Sequence, residues 1–440
     1  MRRQRAAPYD RCYRVRLRGG GMNILWHMPI LRQFGCGLSR RAVELARRLR
    51  ARGHRVTFLV RRNRTDASEG AIESLPVLPL DLPDARPWHW SVQALSRRAA
   101  ARELVSRIDP DHDVFMSCQP EVVAAYGRRP DARPVLFVCG GSTLLHDESD
   151  IQRLSEDSWT TRLSAAIDRR LKHANERAAF ASADAVVFDS NQTRKRVADT
   201  YGIAHERHYT VHGGVDPEEM QPADSAVKRA RRGELGIRDG DFVLCWTGRL
   251  SPEKNVELLI RSIRLCTRRP DVVLIVGDGP CQRDLADLVS SAGLRDTVRL
   301  IGAVADVQPY LYVSDAFVFP SKGESFGGSL VEAMACGLPC IALRPDGDIV
   351  CTATEEVFDG GRCGYFVDTP VPGALASAID ALAADAELRR RLGERARRYV
   401  VDQFTWDAAG ARLSEIVLEI GERARTAEAL IAPATQPSAA

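Results

Sequence analysis

The chain has 440 residues, 45% of them hydrophobic and 27% charged, with a formal net charge of +4. That length exceeds one ordinary core and fits two domains with a tail. So small a charge excess leaves no footprint for general nucleic-acid binding, and no apolar run is long enough to cross a bilayer as a helix.

Residues 1–21 hold seven arginines and end in Gly19-Gly20-Gly21, without the apolar stretch a secretory signal needs. They are expected to be disordered, and the sequence leaves the start open between Met1 and Met22. From there the sequence alternates strand, glycine-bearing loop and helix. Asn23–His27 reads as a strand, Gly35-Cys36-Gly37 as its loop, and Leu38, Ala42, Leu45, Ala46 and Leu49 as one helix face. Further strands are expected at 55–60, 113–118, 135–139, 185–189 and 209–211. A charged stretch, 216–240, has little apolar period and reads as a linker. A second block then places strands at 242–246, 272–276, 298–301, 316–319 and 339–342, with a helix over 256–268. A last helix runs from Trp406 to about residue 426, followed by a disordered tail over 427–440.

The expected domains are therefore 22–215 and 216–400, each an α/β unit with a doubly wound parallel sheet. Ligands of such sheets bind beyond the carboxyl ends of the strands. The eleven cysteines show no Cys-x-x-Cys spacing, and many lie in apolar runs. They read as reduced core thiols of a cytoplasmic protein without a zinc site.

Two segments carry chemistry. Thr247-Gly248-Arg249-Leu250-Ser251-Pro252-Glu253-Lys254 follows a strand directly, so Arg249 and Lys254 emerge at its carboxyl end. A guanidinium grips two phosphate oxygens, and an ammonium adds a compact charge. The second runs from Pro320 to Gly337 and contains Glu324-Ser325-Phe326-Gly327-Gly328-Ser329-Leu330-Val331-Glu332. Gly327 and Gly328 let backbone N–H groups approach a ligand where a helix N-terminus favours an anion. Glu324 and Glu332 suit sugar and ribose hydroxyls, which donate hydrogen bonds. Taken singly, each charged residue reads equally as a solvated surface group.

Together the segments resemble the retaining glycosyltransferases of family 4, with the two-domain GT-B fold, from Met22 to about residue 420. Asp189-Ser190-Asn191-Gln192-Thr193-Arg194, Gly214-Val215-Asp216, Gly277-Asp278-Gly279-Pro280 and Phe404-Thr405-Trp406-Asp407 add to the resemblance. It implies a nucleotide-diphosphate sugar as donor, UDP by default and GDP as the alternative, and retention of anomeric configuration without a metal. Arg249 and Lys254 would hold the diphosphate, Glu332 the ribose, and Glu324 the donor sugar. Phe326, Gly327 and Gly328 would present N–H groups to the sugar. Ser329 and Leu330 would lie against the phosphate, with Gly35, Gly37 and Gly248 lining the cleft. The last helix would cross back onto the first domain. The acceptor stays open among a small natural product or aminocyclitol, a lipid and a polysaccharide.

Two departures stand out. Where relatives often carry a histidine, this chain has Cys139-Gly140-Gly141, leaving His146 as the nearest candidate on the acceptor side. Gly213 replaces the asparagine of the usual Asn-Gly-Val-Asp stretch. The cluster Asp109-Pro110-Asp111-His112-Asp113 reads as a polar turn, not a metal site. Arg40, Arg41, Arg47, Arg48, Arg50 and Arg52 crowd the first helix, and a solvated face explains them more simply than contact with anionic lipid. The competing functional readings are a phosphorylase or sugar-phosphate synthase on the same fold, and a catalytically silent sugar-nucleotide-binding protein.

Overall fold

Short runs of Val, Ile, Leu and Phe become strands buried on both faces in the computed structural model, which describes residues 21–31, 37–62, 65, 71–72, 74–80, 93–140 and 159–431. In chain order the first unit is β1 (Asn23–His27), α1 (Gly37–Ala51), β2 (Arg55–Arg61), β3 (Ala71–Ile72), β4 (Leu75–Leu80), α2 (Gln93–Ser106), β5 (Val114–Ser117), α3 (Pro120–Tyr126), β6 (Val135–Cys139), α4 (Trp159–Ser182), β7 (Ala185–Phe188), α5 (Asn191–Tyr201) and β8 (His208–Thr210). Its sheet has the order β3-β4-β2-β1-β5-β6-β7-β8. Every pair is parallel except β3 with β4.

Strand β4 escapes the sequence reading because Leu75-Pro76-Val77-Leu78-Pro79-Leu80 carries two prolines, which lack the N–H a ladder uses. It lies near the sheet edge, where Pro76 faces the two-residue β3. Leu75, Val77 and Leu80 are buried all the same.

The second unit holds α6 (Ser225–Glu234), β9 (Val243–Thr247), α7 (Val256–Ile263), β10 (Val272–Val276), α8 (Gln282–Ser291), β11 (Val298–Gly302), α9 (Gln308–Val313), β12 (Ala316–Phe319), β13 (Gly323–Glu324), α10 (Gly328–Ala335), β14 (Cys340–Leu343), β15 (Cys351–Thr352), α11 (Thr354–Val357), β16 (Tyr365–Val367), α12 (Pro372–Ala384) and α13 (Ala386–Gln403). Six parallel strands form the sheet β11-β10-β9-β12-β14-β16, and β13 pairs separately with β15.

Three boundaries differ from the sequence reading. The expected linker contains α6, whose N-terminus is capped by Asp224 at 2.9 and 2.8 Å from the N–H groups of Ala226 and Val227. Its charged composition hides a buried anchor: Arg232 donates to Val313 O and, at 2.7 Å, to Asp315. Helix α7 stops at Ile263 rather than 268, because the N–H groups of Thr267 and Arg268 turn to the Asp380 carboxylate. Helix α14 (Trp406–Ile431) overruns the expected end at 426, carried on by Ala427 and Leu430, which are good helix formers.

Helix α14 packs Leu413, Ile416, Val417 and Ile420 into the same core as Met22, Ile24 and Leu45 of the first unit. The arginines of α1 help to fasten it. Arg48 donates to Glu44, Asp216 and Asp407, and Arg52 reaches the carbonyl of Asp407 at 3.0 Å. Arg41 is largely covered and binds Asp189 and, at 2.9 Å, the carbonyl of Val211. Arg41 and Arg48 are thus drawn into ion pairs within the molecule, while Arg40, Arg47, Arg50 and Arg52 stay exposed, as expected of a solvated face.

Candidate active site

The two chemical segments converge because β9 and β12 are neighbours in the second sheet and both end in loops at its carboxyl edge. After β9 the chain makes a short 3₁₀ turn at Pro252–Lys254. Asn255 ends it in the left-handed conformation and donates from Nδ2 to Pro320 O at 3.1 Å. Lys322 N donates to Glu253 O at 2.8 Å, lacing one loop to the other. Lys254 Nζ consequently meets Glu324 Oε2 in a direct ion pair.

Burial strips water from the Lys254 ammonium and lowers its pKa to about 8, with Arg249 pushing the same way and Glu253 opposing. Arg249 itself is exposed at the mouth of the loop. Below the cations, Gly248 N donates to Val276 O at 3.0 Å and Leu250 N to Asp278 O at 2.7 Å, so the Gly277–Gly279 turn supports the loop.

Helix α10 begins behind Gly327, whose φ of 96° is left-handed and suits glycine alone. A side chain added at Gly328 would meet nothing within 4 Å, so the helix N-terminus opens onto free space. The N–H of Leu330 is spent on Gly327 O at 3.0 Å, and its side chain is wholly buried in the core. Leu330 therefore shapes the helix start through its packing, with Gly328 and Ser329 at the open end. Phe326 is likewise buried and packs its ring against His212 and Phe404.

Glu332 lies one turn further and receives Arg40 Nη1 at 2.6 Å from α1 of the first unit. Burial raises its pKa, and Arg40 counters that. Gly37, at the start of α1, also faces space: a Cβ added there would have no neighbour within 4 Å. Gly35 and His146 lie outside the described residues.

Several partners were invisible to sequence reasoning. Ser325 Oγ donates to Gly140 O at 2.8 Å and lies 3.2 Å from Asp189 Oδ2, while Thr193 Oγ1 donates to Ser325 O at 3.2 Å. His27, at the carboxyl end of β1, bonds Ser117 at 3.0 Å, and burial followed by the nearby Arg61 lowers its pKa to about 3. It is neutral at physiological pH. Gly213 has a steric reason to replace asparagine, since a Cβ there would stand 2.7 Å from the Phe326 ring. The acidic cluster behaves as a turn: Asp111 N binds Asp109 Oδ1, and His112 binds Asp109 O and Tyr126. A polar cleft of about 220 Å³ near Asp113, Arg133 and Arg425 lies at the amino ends of β1, β5 and β6, on the opposite edge from these motifs. Among the described residues no group of three or more His, Cys, Asp or Glu is arranged to hold a metal, and no disulfide joins the cysteines.

Comparison with known proteins fits this geometry. A family model described as "Glycosyltransferase Family 4" matches residues 36–219, and one described as "Glycosyl transferases group 1" matches residues 227–399. The chain belongs to the group 1 glycosyltransferases of the family 4 type. It is 33% identical over 246 residues to a GDP-mannose-dependent alpha-(1-6)-phosphatidylinositol monomannoside mannosyltransferase of Mycolicibacterium smegmatis, covering 53% of this chain and 62% of that protein. It is 31% identical over 249 residues to D-inositol 3-phosphate glycosyltransferase 2 of Catenulispora acidiphila, covering 53% and 56%. The matches thus span about three fifths of these curated relatives. Among solved structures, Anabaena Alr3699/HepE in complex with UDP and glucose shares the fold, with a TM-score of 0.69, 19% identity, and coverage of 90% of this chain and 99% of that one. The GT-B architecture of two facing α/β units is the one expected from the sequence. No helix among the described residues is long and apolar enough to cross a membrane.

Proposed function

We propose that the protein transfers a sugar from a UDP-sugar to an acceptor hydroxyl, with retention of anomeric configuration and without a metal. The observation that carries this reading is the meeting of Lys254 with Glu324 beside Arg249 and the open N-terminus of α10. The acceptor is a small natural product or aminocyclitol, a lipid or a polysaccharide.

In this reading the diphosphate lies against Arg249, Lys254 and the N–H groups at Gly328 and Ser329. The donor sugar meets Glu324 and the backbone of Phe326 and Gly327, and Glu332 accepts from the ribose hydroxyls. Gly37 leaves room for the diphosphate between the two units, while Gly248 starts the loop that carries Arg249. As the anomeric C–O bond breaks, negative charge grows on the leaving phosphate, where the two cations and the helix N-terminus stabilise it. The acceptor oxygen bonds to the anomeric carbon from the leaving-group face, and its proton passes to the departing phosphate oxygen. No enzyme nucleophile takes part, so neither carboxylate needs the two-acid arrangement of a glycoside hydrolase.

A donor screen tests this. Nucleotide release and thermal shift are measured with UDP-, GDP-, ADP- and dTDP-sugars, and the UDP-sugars are expected to give the largest response. A GDP-sugar preference corrects the nucleotide; binding of none of them removes the proposal.

The Lys254 pKa sets a pH dependence. In the free protein the ammonium is held at about 8 by burial, so it carries its charge below that pH and loses it above. UDP affinity should be flat below pH 7 and fall above pH 8, approaching about tenfold per unit at most, with proton uptake on binding. Calorimetry at pH 9 in two buffers of different ionisation enthalpy measures that uptake, and Lys254→Ala should abolish it.

Arg40 must release Glu332 before a ribose can take its place. Arg40→Ala should therefore tighten UDP binding about two- to fivefold, the scale of a half-exposed ion pair. The effect should vanish in a Glu332→Gln background.

A further inference from the structure

Glu356 is a carboxylate that the transfer scheme above does not use, yet it gathers three hydrogen bonds at the junction of the two units. Oε2 accepts from Asn191 N at 2.9 Å, and Oε1 accepts from Asn191 Nδ2 at 2.6 Å. Oε1 also lies 2.5 Å from His212 Nε2. Asn191 opens α5 of the first unit, and its own Oδ1 accepts from Thr210 at 2.8 Å. His212 sits in the segment that joins the units. Burial works against a charge on Glu356, but the bonds from His212 and Asn191 outweigh it and hold the carboxyl below its usual range.

Two routes lead from this carboxylate to the loop that bears Glu324. The first follows the backbone. Glu356 belongs to α11, which follows β15, and in the β13–β15 pair Thr352 stands opposite Glu324. The hydroxyls of Thr352 and Thr354 bond each other at 2.9 Å, and Thr354 donates to Leu343 O at 3.1 Å, so the connection is buried and tied to β14. The second route runs through rings. The His212 imidazole lies 5.9 Å from the Phe326 ring and 5.2 Å from that of Phe404, with Phe326 and Phe404 edge to face at 5.3 Å. Phe326 is followed directly by the left-handed Gly327.

We propose that Glu356 is a positioning residue that clasps Asn191 and His212 and thereby fixes the Glu324–Gly327 loop for the donor sugar. This rests on the assignment of that loop to the sugar and of Arg249, Lys254 and Glu332 to the nucleotide. The clasp touches the first group directly through β13 and Phe326, whereas Arg249 and Glu332 stand on other segments and Lys254 meets the loop only through its ion pair with Glu324. Its loss should be felt far more by the sugar than by the nucleotide.

The experiment compares UDP with UDP-glucose and GDP with GDP-mannose by calorimetry, in the wild type, Glu356→Gln and Asn191→Ala. Gln at 356 keeps the shape but presents an amide N–H₂ to donors that need an acceptor. The Kd of the nucleotide sugar should rise about tenfold, the least expected from losing charge-assisted hydrogen bonds, while that of the free nucleotide stays within about twofold. Glu356→Asp should recover part of the loss. Asn191→Ala attacks the same clasp from the first unit, and the two changes combined should cost no more than the larger alone. A purely structural role would weaken nucleotide and nucleotide sugar alike, and that result overturns the proposal, as does no change in either. Small-angle scattering of the unliganded variants keeps the test independent of the donor: the radius of gyration should increase in both, and an unchanged value in both counts against the clasp. If the wild type binds no nucleotide at all, the functional reading fails while the scattering still judges the clasp.

Discussion

Lys254→Ala and Arg249→Ala should each lower nucleotide release from the sugar donor by about 10²–10³-fold, the range seen when one preorganised donor to a developing oxyanion is removed. Lys254 is the stronger case. Its side chain is four-fifths covered, and the ammonium faces Glu324 across loops that hold each other by backbone bonds. Its field therefore acts through little water, and no reorganisation is needed when the phosphate gains charge. The loss should appear in kcat and kcat/KM together, because the charge it answers is larger in the transition state than in the bound donor. Arg249 is exposed and can follow the phosphate, so its removal should raise KM as well. Steady-state kinetics with a saturable donor separates the two patterns. Thermal melts guard against a trivial cause: neither side chain belongs to the apolar core, so both variants should stay folded. Wild-type turnover in both would take these residues out of the site.

The parts of this fold that were legible in the sequence are those whose cause is local. Strands β1, β9, β10 and β12 are short apolar runs because both sheet faces are covered, and the last three lead directly into the glycine or polar turn that ends them. The loops at Gly248–Lys254 and Glu324–Gly328 were legible for the same reason, since strand, glycines and charged residues lie close together in the chain. What escaped depends on partners far along it. Arg232 looks like a linker charge until Asp315 and the Val313 carbonyl stand beside it. Arg40 and Arg41 look like surface arginines until Glu332 and Asp189 arrive from 292 and 148 positions away. Glu356 sits in a four-residue helix with no motif to mark it. The replacement of asparagine by Gly213 looked like a weakened match, but the Phe326 ring occupies the space a side chain would need. Periodicity and spacing report on neighbours, and a cleft between two units is built from contacts that neither can report.

Gly277→Ala should be among the most damaging single-methyl additions in the molecule. Gly277 has a φ of 135°, which an L side chain rarely adopts, and a Cβ placed there would overlap the carbonyl oxygen of Gly248. The neighbour is backbone, so it cannot swing aside as a side chain would. It is also fixed: Gly248 N donates to Val276 O, and Gly277 N donates to Gly302 O at 2.8 Å. Overpacking and backbone strain together should destabilise the second unit by about 3 kcal/mol, lowering its melting temperature by about 6–12 °C for a unit of this size. Gly233→Ala makes the control, since it lies in α6 with nothing within 4 Å of the added atom and should leave the melt unchanged or slightly higher. The same displacement carries a functional consequence. Gly248 leads directly into Arg249, so a backbone shift of a few tenths of an ångström reaches both cations of the loop. UDP affinity should therefore fall in Gly277→Ala even at temperatures where the protein is folded, and equal binding by the variant and the wild type would mean that the Gly277 turn does not support the phosphate loop.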